Sequence, residues 1–488
     1  MSANGILPTA TLQHTIAAVF GHVPTGEQRA AMDVFVRFLA DPSPQACMVL
    51  RGAAGTGKTT LAAAIVNALL LRRQRIVLLA PTGRAAKVFS LYASHPAFTI
   101  HRRIYRQKAV GELTPTFRLA PNQLTNTLFI VDEASMISGG SDGDGSFSSS
   151  SLLDDLVSFV YQGTNCRLML IGDAAQLPPV GEEESPALSA QVLSCYGLDV
   201  HEARLDKVLR QSQQSGILYN ATIVRQLMND IPTLPQVQLD GFDDINIVTG
   251  DELIEQLASS YSQAGLDDTI VVTRSNKRAN IYNQGIRNTI LDREEELCRG
   301  DRLMIVKNNY YWTEKLHTDN EPSPIPFLAN GDYCMVQRVR NIRELYGFRF
   351  ADVTIQMPDY DDLELTCTLL LDTLTTEAPA LTREQQEQLY QKVLEDYDAD
   401  EEPALKKPSS RANMVKEDPY YNALQVKYGY AVTCHKAQGG QWAHVYIDQG
   451  YMTDDMLSPS YLHWLYTAFT RATERLFLVN WPPTQTER

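Results

Sequence analysis

The sequence has few of the features that mark secreted or membrane-anchored proteins. Its seven cysteines are scattered along 488 residues, and no two of them form a Cys-x-x-Cys pair. This pattern supports neither a disulfide framework nor a structural zinc site, so we expect reduced, mostly buried thiols. No apolar run reaches the roughly 20 residues that span a bilayer, and the N-terminus has neither a basic start nor an apolar core. We therefore expect a cytoplasmic, globular protein of several domains.

The chain also lacks an excess of positive charge. Its formal net charge is −15, which argues against the simplest kind of nucleic-acid binder, a protein with a basic surface overall. A nucleic-acid partner is still compatible with this charge, because a motor that grips a strand transiently needs only a local track of donors and cations.

What the sequence does contain is a phosphate-binding loop between a predicted strand and a predicted helix. The run Gly52-Ala-Ala-Gly-Thr-Gly-Lys58-Thr59 follows the apolar residues 47–50 and precedes residues 60–70, which are rich in helix formers. At such a turn, backbone N–H groups and the helix N-terminus bind phosphate, Lys58 reaches the outer phosphates and Thr59 ligates Mg2+. The residues predicted to contact the nucleotide are Gly52, Ala54, Gly55, Thr56, Gly57, Lys58, Thr59 and Thr60. An incidental glycine-rich turn is the alternative interpretation.

Three further apolar runs, residues 75–80, 127–131 and 167–172, each end in polar residues. Continuous apolar strands of this kind are buried on both faces, and parallel α/β sheets bind ligands just beyond the carboxyl ends of their strands. We therefore predict an α/β fold in which these polar clusters meet the phosphate-binding loop at one nucleotide crevice.

The polar residues after two of these strands match the needs of phosphoryl transfer to water. Asp132 suits Mg2+, directly or through a water, and Glu133 can polarise the attacking water. The alternative for this pair is a helix cap, which is common for an isolated Asp-Glu. Gln176 is predicted to sense the γ-phosphate or the attacking water, with a simple polar turn before Pro178 and Pro179 as its alternative.

In their order along the chain, these motifs resemble those of the superfamily 1 helicases, and within superfamily 1B those of the RecD-like and Dda-like branch. The match covers most of the chain. The segments that carry it are Gly52 to Thr59 (motif I), Ala80 to Lys87 (motif Ia), Asp132 to Ser135 (motif II), Gly172 to Val180 (motif III), Leu209 to Gln211 (motif IV), Tyr430 to Gly439 (motif V) and Tyr466 to Ala472 (motif VI). Pro24 to Gln28 resembles the adenine-reading segment, in which Gln28 contacts the base edge, and Gly439 is also assigned to the nucleotide.

The resemblance implies two RecA-like folds with ATP bound between them. Arg471 of the second fold then approaches the γ-phosphate, and Arg210 joins it from another loop. A surface salt bridge is the alternative for either arginine. Because these arginines and Lys58 lie on different bodies, we expect hydrolysis to depend on closure of the cleft.

The same resemblance predicts how the chain is divided. Residues 1–200 form the first fold, with a hairpin at about 99–126 that splits the duplex as a pin or serves as an ordinary connection. Residues 201–294 and 421–488 form the second fold, and residues 295–420 form an inserted SH3-like β-barrel with an acidic linker.

The predicted nucleic-acid track comes from motif Ia, the segment that follows it, and motif V. Phosphate contacts hold a backbone without reading its sequence, and aromatic stacking adds about 1–3 kcal/mol per base. The residues assigned to this track are Pro81, Thr82, Gly83, Arg84, His101, Arg102, Thr433, His435 and Lys436. For His101 and His435, orientation of neighbouring loops without DNA contact is an open alternative.

Together the motifs imply an ATP- and Mg2+-dependent helicase that translocates on single-stranded DNA, acts at junctions with duplex DNA, functions as a monomer and moves 5′-to-3′. Repair and recombination of DNA are the implied processes. Two alternatives stay open: an RNA or RNA–DNA translocase with the same motor, and a nucleotide-gated clamp that binds nucleic acid without unwinding it. Residues 383–402 are interpreted as a solvated acidic helix before a linker, and residues 138–151 as a flexible loop.

Overall fold

The computed structural model describes residues 9–107, 117–140, 151–208, 215–228, 233–316, 325, 327–399, 414–452 and 456–487. The strands within these ranges are β1 (Ala46–Gly52), β2 (Arg75–Ala80), β3 (Ala97–Thr99), β4 (Tyr105–Gln107), β5 (Phe117–Leu119), β6 (Thr127–Val131), β7 (Arg167–Gly172), β8 (Asp199–Leu205), β9 (Val237–Gln238), β10 (Ile245–Val248), β11 (Thr269–Thr273), β12 (Arg302–Ile305), β13 (Tyr333–Leu345), β14 (Phe348–Met357), β15 (Leu363–Leu370), β16 (Leu424–Tyr428), β17 (Ala431–Thr433), β18 (Trp442–Asp448), β19 (Ala472–Val479) and β20 (Thr486–Glu487). The α-helices are α1 (Thr9–Val19), α2 (Gly26–Ala40), α3 (Lys58–Leu71), α4 (Gly83–Ala93), α5 (Ile100–Ile104), α6 (Leu152–Gln162), α7 (Ala190–Cys195), α8 (Gly216–Leu227), α9 (Leu253–Gln263), α10 (Asn276–Gly285), α11 (Tyr311–Glu314), α12 (Arg383–Ala399), α13 (Cys434–Ala437) and α14 (Pro459–Phe469).

The first fold is built on a six-stranded parallel sheet in the order β3-β2-β6-β7-β1-β8. Alternate side chains of β1 enter different cores: Met48 and Leu50 pack on one face of the sheet, and Cys47 and Val49 pack on the other. Since successive side chains of a strand point to opposite faces, a continuous apolar run is what a sheet covered on both sides requires. The carboxyl ends of β1, β2, β6 and β7 consequently share one edge, as predicted.

The second fold contains a five-stranded parallel sheet in the order β10-β19-β18-β11-β17. Motif V contains β17 and the turn after it, and motif VI joins α14 to β19, so both motifs lie at ends of strands of this sheet. The two parallel sheets confirm the predicted α/β class.

Between β11 and β17 the chain forms a closed barrel of β12 to β16. Its chain connections meet at Asp301, which is fully buried and accepts hydrogen bonds from Arg287, Arg293 and the hydroxyl of Tyr430. Arg287 and Arg293 precede the barrel, and Tyr430 follows its last strand. One carboxylate therefore fastens both connections.

Strand pairing corrects two of the predicted domain limits. Strand β8 pairs with β1 along its whole length, so the division at 200/201 falls inside a strand of the first fold. Strand β16 pairs with β12 and β15 and closes the barrel, so the barrel extends beyond residue 420. In both cases the deciding factor is a hydrogen-bonded partner that is distant in the sequence.

The two strands of the predicted hairpin, β4 and β5, are present and paired. Tyr105 pairs with Leu119 and Gln107 with Phe117 in antiparallel register. The tip, residues 108–116, lies outside the described residues, as do Arg210 of motif IV and residues 141–150 of the serine-rich segment.

The acidic segment forms helix α12, but its description as a solvated helix is only half right. Leu389 and Val393, four residues apart, are buried against Phe348 and Phe350 of the barrel. Side chains at this spacing share a helix face, so one face of α12 forms a separate apolar cluster with the barrel.

None of the helices in the described part of the chain is both long enough and apolar enough to cross a membrane. All seven cysteines are unpaired, and five of them are buried.

Candidate nucleotide site and nucleic-acid interface

The glycines of the phosphate-binding loop allow backbone conformations and close contacts that a residue with a side chain would rarely permit. Gly55 and Gly57 adopt φ angles of +73° and +82°, a region that side chains with a Cβ rarely occupy. A Cβ on Gly52 would lie 2.8 Å from Cγ of Lys58, so the lysine folds back closely over the start of the loop. Helix α3 begins at Lys58, and its N-terminus adds partial positive charge to the N–H groups of the loop.

Lys58 links the loop to the end of β7. Its Nζ donates to the carbonyl oxygens of Gly52 and Ala53 and lies 3.7 Å from Oδ2 of Asp173. Thr59 is half-buried and Thr60 is exposed in the first turn of the same helix. The predicted motif I residues therefore occupy one continuous surface.

The carboxylates of motif II lie at the end of β6 in a strained turn. Glu133 has a φ of +52°, a conformation that costs about 1–3 kcal/mol for a residue with a side chain. It precedes the short 3-10 helix Ala134–Met136 but makes no side-chain cap, so the helix-cap alternative is not supported for this residue. Asp132 accepts a hydrogen bond from the Glu133 N–H at 2.9 Å.

The surroundings of Asp132 fit a divalent cation. Burial and the adjacent Glu133 carboxylate raise the pKa of Asp132, while the charge of Lys58 opposes this shift. Two carboxylates crowded in a low-dielectric crevice are stabilised by a cation, and hydroxyl and carboxylate oxygens are the ligands that Mg2+ prefers. The oxygen donors of Thr59 and Asp132 therefore suit Mg2+, and their role as its ligands stays a prediction.

Motif III contributes two buried groups. Gln176 is only 6% exposed, and its Oε1 has no hydrogen-bond partner within the described residues. Such an unpaired buried oxygen is costly, which speaks against a simple polar turn. Asp173 is also buried and accepts from Ala175 N–H at 3.0 Å and from the Tyr466 hydroxyl at 2.6 Å.

The motif III loop is held by the second fold. The carbonyl of Ala175 lies 2.9 Å from Nδ1 of His463, and the N–H of Leu177 donates to Oγ1 of Thr467 at 2.7 Å. Gln438 of motif V donates its Nε2 to the Leu177 carbonyl at 2.6 Å. His463 and Thr467 are four residues apart, so one face of α14 receives the loop.

Tyr466, on the same helix, reaches the phosphate-binding loop itself. Its hydroxyl accepts a hydrogen bond from the backbone N–H of Ala54 at 2.8 Å and donates to Asp173. Motif VI of the second fold thus contacts motifs I and III of the first fold inside the nucleotide crevice. Tyr466 and Asp173 had no predicted role, although Asp173 follows an apolar strand just as Asp132 does.

Arg471 is buried within the second fold. Its guanidinium donates to the carbonyls of Thr467 and Gly440 at 3.0 and 3.1 Å, and no carboxylate pairs with it among the described residues. The salt-bridge alternative is therefore not supported, and the hydrogen bonds that Arg471 makes to described residues all lie within the second fold. Gly439 faces motif Ia: a Cβ there would lie 3.1 Å from Oγ1 of Thr82.

Gln28 lies next to the phosphate-binding loop with both ends of its amide bonded. Its Nε2 donates to the Thr56 carbonyl at 3.1 Å, and its Oε1 accepts from Thr25 N–H at 2.9 Å. These bonds make Gln28 a support of the loop in this arrangement, in addition to its predicted role at the base.

The motif Ia residues lie where the first fold, the second fold and the barrel meet. Thr82 caps α4 by accepting from Ala85 N–H at 3.2 Å, and Pro81 and Gly83 flank it. Arg84 stacks on the ring of Trp442 at 4.3 Å and donates to the Gln441 carbonyl at 2.9 Å. Arg84 therefore bridges the folds rather than presenting a free guanidinium to a strand.

The other predicted track residues separate into buried and accessible groups. His101 packs beside Tyr105 and Phe327, and burial lowers its pKa to about 4, so it is neutral near pH 7. Arg102 stacks on Phe98 at 5.2 Å. For His101 this packing favours the alternative of loop orientation.

The motif V residues are more accessible. His435 is exposed, and Thr433 stands before α13 without capping it through its side chain. Lys436 donates to Oδ1 of Asn330 in the barrel, and burial lowers its pKa to about 8. The barrel thus closes over this part of the predicted track.

Two family models match the chain. One, described as an AAA domain, matches residues 25–230, and one described as the UvrD-like helicase C-terminal domain matches residues 428–479. The first range contains motifs I to III, and the second contains motifs V and VI.

Individual relatives agree with these models. The ATP-dependent DNA helicase dda of Enterobacteria phage T4 is 25% identical over 349 residues, which cover 68% of this chain and 73% of that protein. The ATP-dependent RecD2 DNA helicase of Deinococcus radiodurans is 35% identical over 136 residues, 27% of this chain and 16% of that protein. A crystal structure of Pif1 helicase from Bacteroides in complex with ADP-AlF3 and ssDNA is 16% identical, covers 94% of this chain and 93% of its own, and has a TM-score of 0.46, too low to add support.

Proposed function

Since this chain belongs to the superfamily 1B helicases, in the RecD-like and Dda-like branch, we propose that it is an ATP-dependent DNA helicase that moves along single-stranded DNA and separates duplex. The observation that carries this proposal is the contact of Tyr466, in motif VI, with Ala54 and Asp173 across the nucleotide crevice. A P-loop protein with a single fold has no second domain that contacts the phosphate-binding loop in this way.

Each predicted catalytic residue then has a role in hydrolysis. Lys58 neutralises charge on the outer phosphates, Glu133 orients the attacking water, and Gln176 contacts that water or the γ-phosphate through its free amide oxygen. Thr59 and Asp132 would hold Mg2+, which would supply Lewis-acid stabilisation of the phosphates.

We propose that movement along the DNA strand is driven by closure of the crevice between the two folds. Arg471 is held by the carbonyls of Thr467 and Gly440, so its charge reaches the γ-phosphate only when the second fold turns toward the first. Arg210 is proposed to join it there. Because hydrolysis then requires the closed form, each turnover is coupled to one relative movement of the folds.

Single-stranded DNA and its junctions with duplex are the proposed partners. The proposed track comprises the motif Ia turn at residues 81–84, the exposed His435 and the half-buried Thr433 and Lys436 of motif V, together with His101 and Arg102. The preference for DNA is supported by the DNA helicases to which this chain is similar. The 5′-to-3′ direction stays a prediction. A monomeric mode of action, a cytoplasmic location and a role in repair or recombination stay predictions.

The deciding experiment is strand displacement on duplexes with a single-stranded tail on either the 5′ or the 3′ side. We expect ATP-dependent displacement from the 5′-tailed DNA duplex, with a Lys58→Ala variant as the inactive control. Displacement from 3′ tails alone would overturn the polarity, and a preference for RNA duplexes would favour the RNA translocase. ATP hydrolysis stimulated by DNA without any displacement would favour the nucleotide-gated clamp.

The hairpin can be tested separately. Separating one base step costs about 1.4 kcal/mol of stacking free energy. We therefore propose that the hairpin formed by β4 and β5 acts as a wedge between the strands of the duplex. Shortening residues 109–114 should reduce displacement more than DNA-stimulated ATP hydrolysis. Equal losses would identify the hairpin as an ordinary connection.

A further inference from the structure

One hydroxyl group of the second fold makes two hydrogen bonds to the first fold inside the nucleotide crevice. Tyr466 is 1% exposed, and its ring belongs to the apolar core of the second fold. Its hydroxyl nevertheless makes both of its hydrogen bonds to the first fold, to Ala54 N–H and to Asp173. A buried tyrosine hydroxyl usually finds its partners nearby, but here the partners are 412 and 293 residues away.

The chemistry fixes the direction of both hydrogen bonds. A backbone N–H can only donate, and an ionised carboxylate can only accept. The hydroxyl proton therefore points to Asp173, and the hydroxyl oxygen receives the hydrogen of Ala54. Burial and the Asp173 charge raise the pKa of Tyr466, which keeps this proton in place.

Ala54 lies in the loop whose N–H groups bind phosphate in P-loop proteins. An amide has one hydrogen, so a phosphate oxygen and the Tyr466 hydroxyl compete for it. When a phosphate takes this N–H, the link between α14 and the loop breaks. Asp173, which is also 3.7 Å from Lys58, is the second partner of the same hydroxyl.

From this geometry we infer that Tyr466 is a positioning residue whose hydroxyl latches the two folds together and is displaced from Ala54 by the terminal phosphates of the nucleotide. The inference rests on the proposed function and adds a step to it. Binding of the nucleotide breaks this contact of α14 with the phosphate-binding loop and leaves the hydrogen bonds of the motif III loop to join the folds. Renewed bonding after phosphate release resets the crevice.

The same helix offers a matched control. Tyr461 is 2% exposed, and its hydroxyl donates to Gln449 at 2.7 Å entirely within the second fold. Tyr461→Phe and Tyr466→Phe each remove one buried hydroxyl from α14 and keep the ring. Only the second change alters the nucleotide crevice.

The test measures affinity and turnover separately for the full chain. With a non-hydrolysable ATP analogue, Tyr466→Phe should bind roughly 2- to 10-fold more tightly, because the nucleotide no longer competes with a hydrogen bond of ordinary strength. Its DNA-stimulated kcat should nevertheless fall, by roughly 2- to 10-fold, because the hydrogen bond that resets the crevice after phosphate release is missing. A purely structural role for the hydroxyl predicts no gain in affinity.

Tyr461→Phe should leave both the affinity and kcat close to those of the unaltered protein. Unchanged or weaker analogue binding by Tyr466→Phe would overturn the latch, as would the same gain in the Tyr461→Phe control. If Tyr466→Phe does not fold, 3-fluorotyrosine at position 466 tests the same point: its fluorine resonance should shift when the analogue binds, and a constant resonance would overturn the latch. Loss of the proposed function would show differently, as absent ATP hydrolysis in the unaltered protein.

Discussion

Replacing Asp301 by asparagine tests whether the barrel is fastened to the second fold by one buried carboxylate. Asp301 accepts both Nε and Nη2 of Arg287 at 2.9 Å, Nη1 of Arg293 at 2.8 Å and the Tyr430 hydroxyl at 3.0 Å. The side chain of Arg287 is 5% exposed and that of Asp301 is 0% exposed. Asparagine keeps the shape of the site but leaves a buried guanidinium without its counter-charge.

The size of the effect follows from this burial. Removing one partner of a buried ion pair costs about 3–5 kcal/mol, because the remaining charge stays desolvated. An exposed pair contributes about 0–1 kcal/mol, because water and salt screen it. Lys392 and Glu395 form such a pair, 3.2 Å apart with side chains that are 51% and 66% exposed, so Glu395→Gln is the matched control.

The assay is urea unfolding of the full chain, followed by a probe that reports on the barrel. We expect the transition of Asp301→Asn to lose about 3–5 kcal/mol of unfolding free energy and that of Glu395→Gln to change by less than about 1 kcal/mol. If Asp301→Asn does not fold, Arg293→Gln should still lose about 1.5–3 kcal/mol, the value of a hydrogen bond to a charged group. Equal stabilities of Asp301→Asn and Glu395→Gln would refute the reasoning.

Four further changes test the nucleotide site and its surroundings. Lys58→Ala should reduce ATP hydrolysis to background, and turnover at the unaltered rate would remove the phosphate site from this loop. Glu133→Gln should bind ATP but hydrolyse it roughly 10²- to 10⁴-fold more slowly, which equilibrium binding and single-turnover rates would show. Arg471→Lys should lower kcat by about 10³-fold or more, since lysine cannot reproduce the guanidinium fork; a normal rate would leave Arg471 a purely internal group. Burial lowers the pKa of His101 from 6.5 to about 4, so its neutral form contributes stability above pH 6.5 that is lost as the pH falls toward 4, and the Tm of His101→Gln should depend less on pH in this window than that of the unaltered protein.

Local sequence patterns were sufficient to predict those parts of the fold that are determined by short, contiguous segments. The strand ends, the glycine turn at residues 52–59 and the order of the motifs predicted two parallel sheets and one shared crevice, because each depends on contiguous residues. Strand β8 was not predicted from the sequence, because it is an edge strand with several exposed residues and no continuous apolar run. Strand β16 carries Gln425 and Lys427 although both are buried, because their polar atoms find partners in the barrel.

The site was harder to predict where partners are distant in sequence. The hydrogen bond from Ala54 to Tyr466 joins residues that are 412 positions apart, so no local sequence pattern could predict it. Arg84 has the residue type and position of a phosphate ligand, yet it stacks on Trp442 because three bodies meet at that point. Composition and spacing identify the groups that can do chemistry, whereas their tertiary neighbours determine which groups are engaged.

The fastening of the barrel at Asp301 has a mechanical consequence. With both connections tied to one carboxylate, the barrel has no free joint where it leaves the second fold, and it must move as a rigid lever. Its far end is the turn Pro358–Tyr360, where Asp359 lies 3.1 Å from Nζ of Lys87 on helix α4. In the proposed cycle, rotation of the second fold would therefore act through this ion pair on the helix that begins within motif Ia.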